Sequence, residues 1–168
     1  TSGTNFIATL TDGSATSVTA TGARALSIGA LTSTVATSIN ASAMTGAFIM
    51  GTNAGAVAST ISGGTGADTL TGGSAADNIS GGAGNDTLTI AQAADYADGG
   101  TGASDTLVVS AIGSGTYLID LTATTDQLTT FNGATNATTQ TGFENADFST
   151  VNGAVTATAA VAGSNITG

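Results

Sequence analysis

The sequence predicts an all-β chain: a parallel β-helix or β-roll, with short irregular coils on either side of a regular middle. Three observations carry that expectation. From Gly63 the chain falls into a nine-residue register, with GGTGADTLT at 63–71, GGSAADNIS at 72–80 and GGAGNDTLT at 81–89; contiguous, in-phase repeats of this kind mark a solenoid. The 25 glycines and the absence of proline leave the turns to Gly, Asn and Asp rather than to fixed φ angles. Finally, the 168 residues include five Phe, two Tyr and no Trp, so the apolar material is mostly Ala, Val, Ile and Leu. That suits a narrow core built coil on coil better than a wide globular one.

Residues 1–62 contain short alternating segments, SVTA (17–20), ALSI (25–28) and AFIM (47–50), separated by Gly, Ser and Asn. They read as irregular β-helix coils, with Met44 and Met50 packed inside. Residues 63–107 form the regular block. Each nonapeptide is a six-residue Gly-rich turn and a three-residue strand whose middle side chain points inward, which selects Leu70, Ile79 and Leu88. Two nonapeptides make one coil, so residues 18 apart stack at the interstrand spacing of about 4.8 Å. A fourth unit, IAQAADYAD at 90–98, has lost its glycines but keeps Asp95 at the sixth position; a fifth starts at Gly99, where Asp105 falls one place late.

Residues 108–168 read as a β-rich segment leading into the next repeat, in one continuous solenoid with the rest. TLVVS (106–110) and TYLIDLT (116–122) are the strand candidates, with Leu118 and Ile119 prominent. Residues 123–140 are polar and Thr-rich, with a short helix expected at TDQLTTF, and Phe131, Phe143 and Phe148 are expected to plug this irregular part. A longer repeat sets INASAMTGAF (39–48) against ADFSTVNGAV (146–155), and continues loosely from STISGG (59–64) to SNITG (164–168). It suggests a fragment or unit of a tandem array, or a subunit whose end is completed by a neighbour.

Charge narrows the function. Eleven acidic residues face one cation, Arg24, with no Lys and no His; Arg24 reads as a surface ion-pair partner. Phosphate backbones need several cationic contacts, so nucleic acid is excluded as a partner. No apolar run approaches the ~20 residues of a spanning helix, so membrane insertion is not expected, and no signal peptide is legible; an export signal would lie elsewhere. Without His or Cys there are no Ser-His or Cys-His nucleophile systems, no thiolate or His metal sites and no disulfides. A paired-carboxylate glycosidase is weakened by the scarcity of aromatic residues for sugar stacking, and the chain is read as not an enzyme. Ice binding through Thr ladders is disfavoured by irregular Thr spacing.

The nonapeptides fit G-G-x-G-x-D-x-U-x, with U a large apolar residue, the pattern of calcium-binding repeats. Ca²⁺ takes six to eight oxygens at about 2.3–2.6 Å. Gly-rich turns can present carbonyls inward, and a short Asp adds charge. Stacking sets Asp68 against Asp86 and Asp77 against Asp95, each pair bracketing a site. Carboxylates ~5 Å apart repel by roughly 1 kcal/mol in water and about 3 kcal/mol near a protein surface, so calcium binding should be coupled to folding. Asp98 and Asp105 are weaker ligand candidates because the register slips. Asp12, Asp120, Asp126, Glu144 and Asp147 read as turn, cap or surface carboxylates.

Residues 63–107 resemble the RTX family of type I secreted proteins, and the flanking INASAMTGAF and TGFENADFS look like segments of large RTX surface-layer proteins and adhesins. The resemblance implies a calcium-binding β-roll, export through a type I channel and folding outside the cell. It maps Asp68, Asp77 and Asp86 onto the side-chain ligand position, and Gly63, Gly64, Gly72, Gly73, Gly81 and Gly82 onto the turns. Ser74-Ala75-Ala76, which lacks the third glycine, and the whole fourth unit depart from the pattern. The expected function is a calcium-dependent structural unit of a bacterial surface layer or filament, self-associating, with a cell-surface polysaccharide as candidate anchor. The alternative is a spacer or adhesive module of a large RTX adhesin.

Overall fold

A computed structural model describes residues 3–35, 37–53, 55–110, 113–159 and 164–168. All regular structure among them is β. The first coils are formed by β1 (Asn5–Asp12), β2 (Ser17–Gly22), β3 (Leu26–Ser33), β4 (Ser38–Met44) and β5 (Phe48–Met50). The repeat block follows as β6 (Thr60–Ser62), β7 (Thr69–Thr71), β8 (Asn78–Ser80), β9 (Thr87–Ile90), β10 (Tyr96–Asp98) and β11 (Thr106–Val109). Beyond it lie β12 (Tyr117–Asp120), β13 (Leu128–Phe131), β14 (Ala134–Thr135), β15 (Gln140–Thr141), β16 (Asn145–Asp147), β17 (Val155–Thr158) and β18 (Ile166–Thr167).

Alternate strands go to opposite faces. One sheet has eight strands in the order β1-β3-β5-β7-β9-β11-β16-β18, the other six in the order β15-β10-β8-β6-β4-β2, and all these pairings are parallel. The predicted 18-residue stacking is present: Leu70 pairs with Leu88, and Ile61 with Ile79. The flanks are less regular. Asn5 pairs with Leu26 and Leu26 with Phe48, so those coils are longer.

Two apolar columns face each other inside the solenoid. One runs Leu70, Leu88, Leu107, Ala146 and Ile166, the other Val18, Ile39, Ile61, Ile79 and Ala97. Leu70, Ile79 and Leu88 are fully buried, and Met44 and Met50 pack in the core as expected. Each buried Leu or Ile contributes roughly 1.5–3 kcal/mol by leaving water, which sets the coil register, since a one-residue slip would expose the column.

After β11 the chain leaves the solenoid for an antiparallel excursion, β12-β13-β14, and β17 joins its far side parallel to β12. The expected helix at TDQLTTF is not formed. Residues Leu128–Phe131 are strand β13, because they pair on both sides, with β12 and β14, and local helix propensity cannot compete with two ladders. The β13–β14 hairpin turns at Asn132 (φ 52°) and Gly133 (φ 83°), the Asn-Gly pair that a tight two-residue hairpin favours. In β12, Ile119 is buried whereas Leu118 is 40% exposed, since adjacent strand residues face opposite sides. Tyr117 stacks edge-on against Phe131 (5.5 Å) and lies tilted to Phe148 (5.8 Å), which with buried Phe143 fills the space under the excursion.

The longer sequence repeat has a local structural counterpart only. Ser42 donates its backbone N–H to Asn40, and Ser149 donates to Asp147, giving the same small turn at both places. However, β4 lies in the six-stranded sheet and β16 in the eight-stranded one, so the two segments occupy opposite faces.

Candidate metal centre

The aspartates of the nonapeptides turn inward rather than outward. Asp68, Asp77, Asp86, Asp95 and Asp105 are each at most 2% exposed. Each sits two residues before an inward strand residue, at the end of a turn, and the coil repeat stacks the five into two rows along opposite edges of the solenoid.

Along the first edge every carboxylate accepts an amide from the preceding coil. The Phe48 N–H donates to Asp68 Oδ1 (2.6 Å), Asp68 N–H to Asp86 Oδ1 (2.8 Å), Asp86 N–H to Asp105 Oδ1 (2.7 Å), and Asp105 N–H to Glu144 Oε2 (2.8 Å). Along the second edge the Ser59 N–H donates to Asp77 Oδ1 (2.8 Å) and the Asp77 N–H to Asp95 Oδ1 (3.0 Å). The pairs expected from the 18-residue period, Asp68 with Asp86 and Asp77 with Asp95, are thus joined directly.

The second oxygen separates Asp86 and Asp105 from the other three carboxylates. Asp77 Oδ2 accepts the Gly73 N–H (2.5 Å), and Asp95 Oδ2 accepts the Ala91 (3.0 Å) and Gln92 (3.2 Å) N–H groups. On the first edge Asp68 Oδ2 is likewise met by the Gly64 N–H (2.7 Å). Asp86 Oδ2 and Asp105 Oδ2 are buried without any partner. Gly82 and Gly100, at the positions equivalent to Gly64 in their own turns, have φ values of 101° and 96°, and neither N–H reaches the carboxylate of its turn.

Packing of the glycines explains why nothing larger fits. Gly63, Gly81 and Gly99 stack, and a Cβ on Gly81 would strike both the Asp86 carboxylate and the Gly99 carbonyl. Gly82 lies against the Gly64 carbonyl and Gly100 against that of Gly82. On the second edge Gly72 approaches Asp77 and Ile79, and Gly73 approaches the Gly55 carbonyl. Asp98 stands apart from both rows. It ends β10 beside Ser80 of β8, is partly exposed, and accepts the Gly100 N–H (3.1 Å).

Burial dominates the electrostatics. It raises Asp68, Asp77, Asp86 and Asp105 above the ordinary carboxylate value, although their amide partners pull each back. Asp86 is held up at about 6, first by burial and then by the charges of Asp68 and Asp105. Glu144 and Asp98 add to the effect at Asp105, and Asp95 at Asp77. The only cationic side chain in the sequence, Arg24, belongs to the turn between β2 and β3, which stacks on Gly46 and through it on Gly66. It lies coils away from Asp86 and Asp105, so side chains do not neutralise that part of the row.

These residues fit a calcium ion. Two buried carboxylate oxygens without donors are what a hard cation would take up, and they would be costly to leave bare. Among the described residues no three acidic side chains are grouped closely enough to hold a metal; a site on this edge must therefore draw most of its oxygens from the carbonyls of the glycine turns. Asp120 and Asp147, by contrast, close exposed turns onto Thr122 and Ser149, and Asp12 does so onto Ser14 and Ala15. Those bonds hold all three below the ordinary carboxylate range. Glu144 is the member of the row that the motif did not single out. Its signal is Glu144-Asn145-Ala146, an acidic residue two places before an inward one, as in Asp86-Thr87-Leu88.

The family description that matches the chain is the RTX calcium-binding nonapeptide repeat (4 copies), over residues 54–88. The repeats are calcium-binding motifs. No curated protein and no solved structure matches the chain in the corresponding comparisons.

Proposed function

We propose, from a chain that carries RTX calcium-binding repeats, that it is a calcium-dependent extracellular structural unit, part of a bacterial surface layer or filament. The observation that carries this reading is the pair of unpartnered buried oxygens, Asp86 Oδ2 and Asp105 Oδ2, inside a row of stacked carboxylates. Their burial makes the metal-free coil unfavourable, and calcium converts the same stack into a cross-link between coils. Asp68, Asp86 and Asp105 hold the ion on the first edge. The turns of Gly63, Gly64, Gly81 and Gly82 admit the close approach it requires. Calcium supplies positive charge and multiple oxygen bonds, and no catalytic step is assigned to it.

A fold that requires calcium suits secretion in an unfolded state and assembly where calcium is abundant, which supports an extracellular location. Self-association into a lattice or filament belongs to the same proposal. It is supported by Phe6 (67% exposed) and Ile7 (38% exposed), large apolar side chains that β1 presents to solvent. A spacer in a large adhesin is the second reading, supported by the continuous eight-stranded stack from β1 to β18.

Calcium titration of the chain, followed by circular dichroism and particle size together, tests the proposal. Gain of β signal with growth of particles is expected. Fold and size indifferent to calcium would refute a calcium-built scaffold, and folding without growth would favour the spacer.

A further inference from the structure

Glu144 lies outside the nonapeptides and is separated from Asp105 by the whole β12–β14 excursion, yet it continues the aspartate row. Its Oε2 accepts the Asp105 N–H, as Asp105 does for Asp86 and Asp86 for Asp68. The backbone around it repeats the turn geometry. Thr141 pairs with Asp98, Ala146 with Leu107, and a Cβ on Gly99 would strike the Gly142 carbonyl. Gly142 has φ 75°, the handedness of Gly82 and Gly100. Residues 141–145 are therefore one more turn of the roll, written in a different sequence.

We propose that Asp105 and Glu144 hold a calcium ion at this junction, a site in which the second carboxylate comes from beyond the repeat block. The inference rests on the calcium reading of the repeats and extends it to a residue that no nonapeptide contains. The independent sign of a ligand is Asp105 Oδ2, fully buried and without a partner. It faces its own turn, since a Cβ on Gly102 would fall 2.6 and 2.7 Å from the two Asp105 oxygens. The flanking bonds bring the segment into place: Glu144 N–H (3.1 Å) and Asn145 N–H (2.9 Å) donate to the Asp105 carbonyl, and Asn145 Nδ2 donates to Ser104 Oγ (3.0 Å). An ion here ties the returning chain, β15 and β16, to the last repeat. Calcium then closes the excursion as well as stiffening the coils.

Calorimetric titration of the full chain with calcium, wild type beside Glu144→Gln, reads the site directly, and amide hydrogen exchange provides a second measure. Glu144→Gln should bind one calcium fewer than the wild type while the repeat sites remain. In the wild type, calcium should increase protection of the Asn145 and Ala146 amides. Equal stoichiometry and affinity in the two chains would overturn the junction site and leave the repeat sites standing. A wild type that binds no calcium would overturn both. If Glu144→Gln does not fold, exchange in the wild type decides: protection at Asn145 and Ala146 unchanged by calcium overturns the proposal.

Discussion

Both edges of the roll place an aspartate two residues before each inward strand residue, but Asp86 and Asp105 on the first edge solve its burial differently from Asp77 and Asp95 on the second. On the second edge Asp77 and Asp95 have both oxygens bonded to amides, so each carboxylate acts as a built-in clip between coils. On the first edge Asp86 and Asp105 use one oxygen as a clip and bury the other bare. The difference follows the second residue of the turn. Gly82 and Gly100 adopt positive φ and their amides miss the carboxylate, whereas Gly64 and Gly73, outside that region, donate to Asp68 and Asp77, and Ala91 does the same for Asp95. A buried carboxylate can thus be satisfied by protein or left bare, and here the two cases divide by glycine handedness.

Removing calcium should break this contrast most strongly. At calcium concentrations 100 to 1,000 times the dissociation constant, each occupied site adds about 3–4 kcal/mol. A chelator should therefore lower the thermal midpoint, with hydrogen exchange rising first around Asp86 and Asp105 and least around Asp77 and Asp95. Uniform loss of protection on both edges would contradict the assignment.

Acidity should act with opposite signs in the two states. Asp86 is raised from 3.8 to about 6, so the folded metal-free chain binds this proton more tightly than the unfolded chain does. Its contribution is fully present below pH 4 and is lost as pH rises through 6, a change on the order of 3 kcal/mol. With calcium present the trend reverses, because protons displace the ion. Thermal melts from pH 4 to 8 with and without calcium check both signs.

Single substitutions sharpen the comparison further. Asp86→Asn keeps an acceptor for the Asp68 amide and removes the bare charge, so it should stabilise the metal-free chain by about 1–3 kcal/mol and weaken calcium binding. Asp77→Asn turns an amide group toward a backbone donor, Gly73 or Ser59, and should cost about 1–3 kcal/mol without calcium. Denaturant unfolding in chelator reads both, and the same sign for the two would count against the division into edges.

The finest contrast, a difference of about 1–2 kcal/mol, is between the first glycines of two repeats. Gly81→Ala places a Cβ against the Asp86 carboxylate and the Gly99 carbonyl, for an expected loss of about 2–3 kcal/mol. Gly72→Ala meets Ile79 Cδ1 at 3.1 Å and Asp77 Oδ2 at 3.2 Å, side-chain atoms that can yield, and should cost about 1 kcal/mol. Chemical denaturation in calcium measures the difference.

By itself the sequence determined the coil. A nine-residue period with one apolar and one acidic position repeats every contact at each turn, so the inward Leu70, Ile79 and Leu88 and the stacking of Asp68 on Asp86 follow from local spacing. The excursion was less legible. Asn132-Gly133 signals the hairpin, but β13 exists because β12 and β14 flank it. Buried Gln127 and Gln140 are intelligible only after folding, when Gln127 donates to the Phe143 carbonyl (2.8 Å) and accepts its N–H (2.9 Å), and Gln140 donates to the Asp95 carbonyl (2.5 Å). Tertiary structure alone decided which carboxylate oxygens go without a partner, and that Glu144 arrives beside Asp105. Hydrogen-bond satisfaction depends on where each peptide plane points, and the approach of distant segments depends on the path between them. A residue pattern encodes neither until the coils have closed.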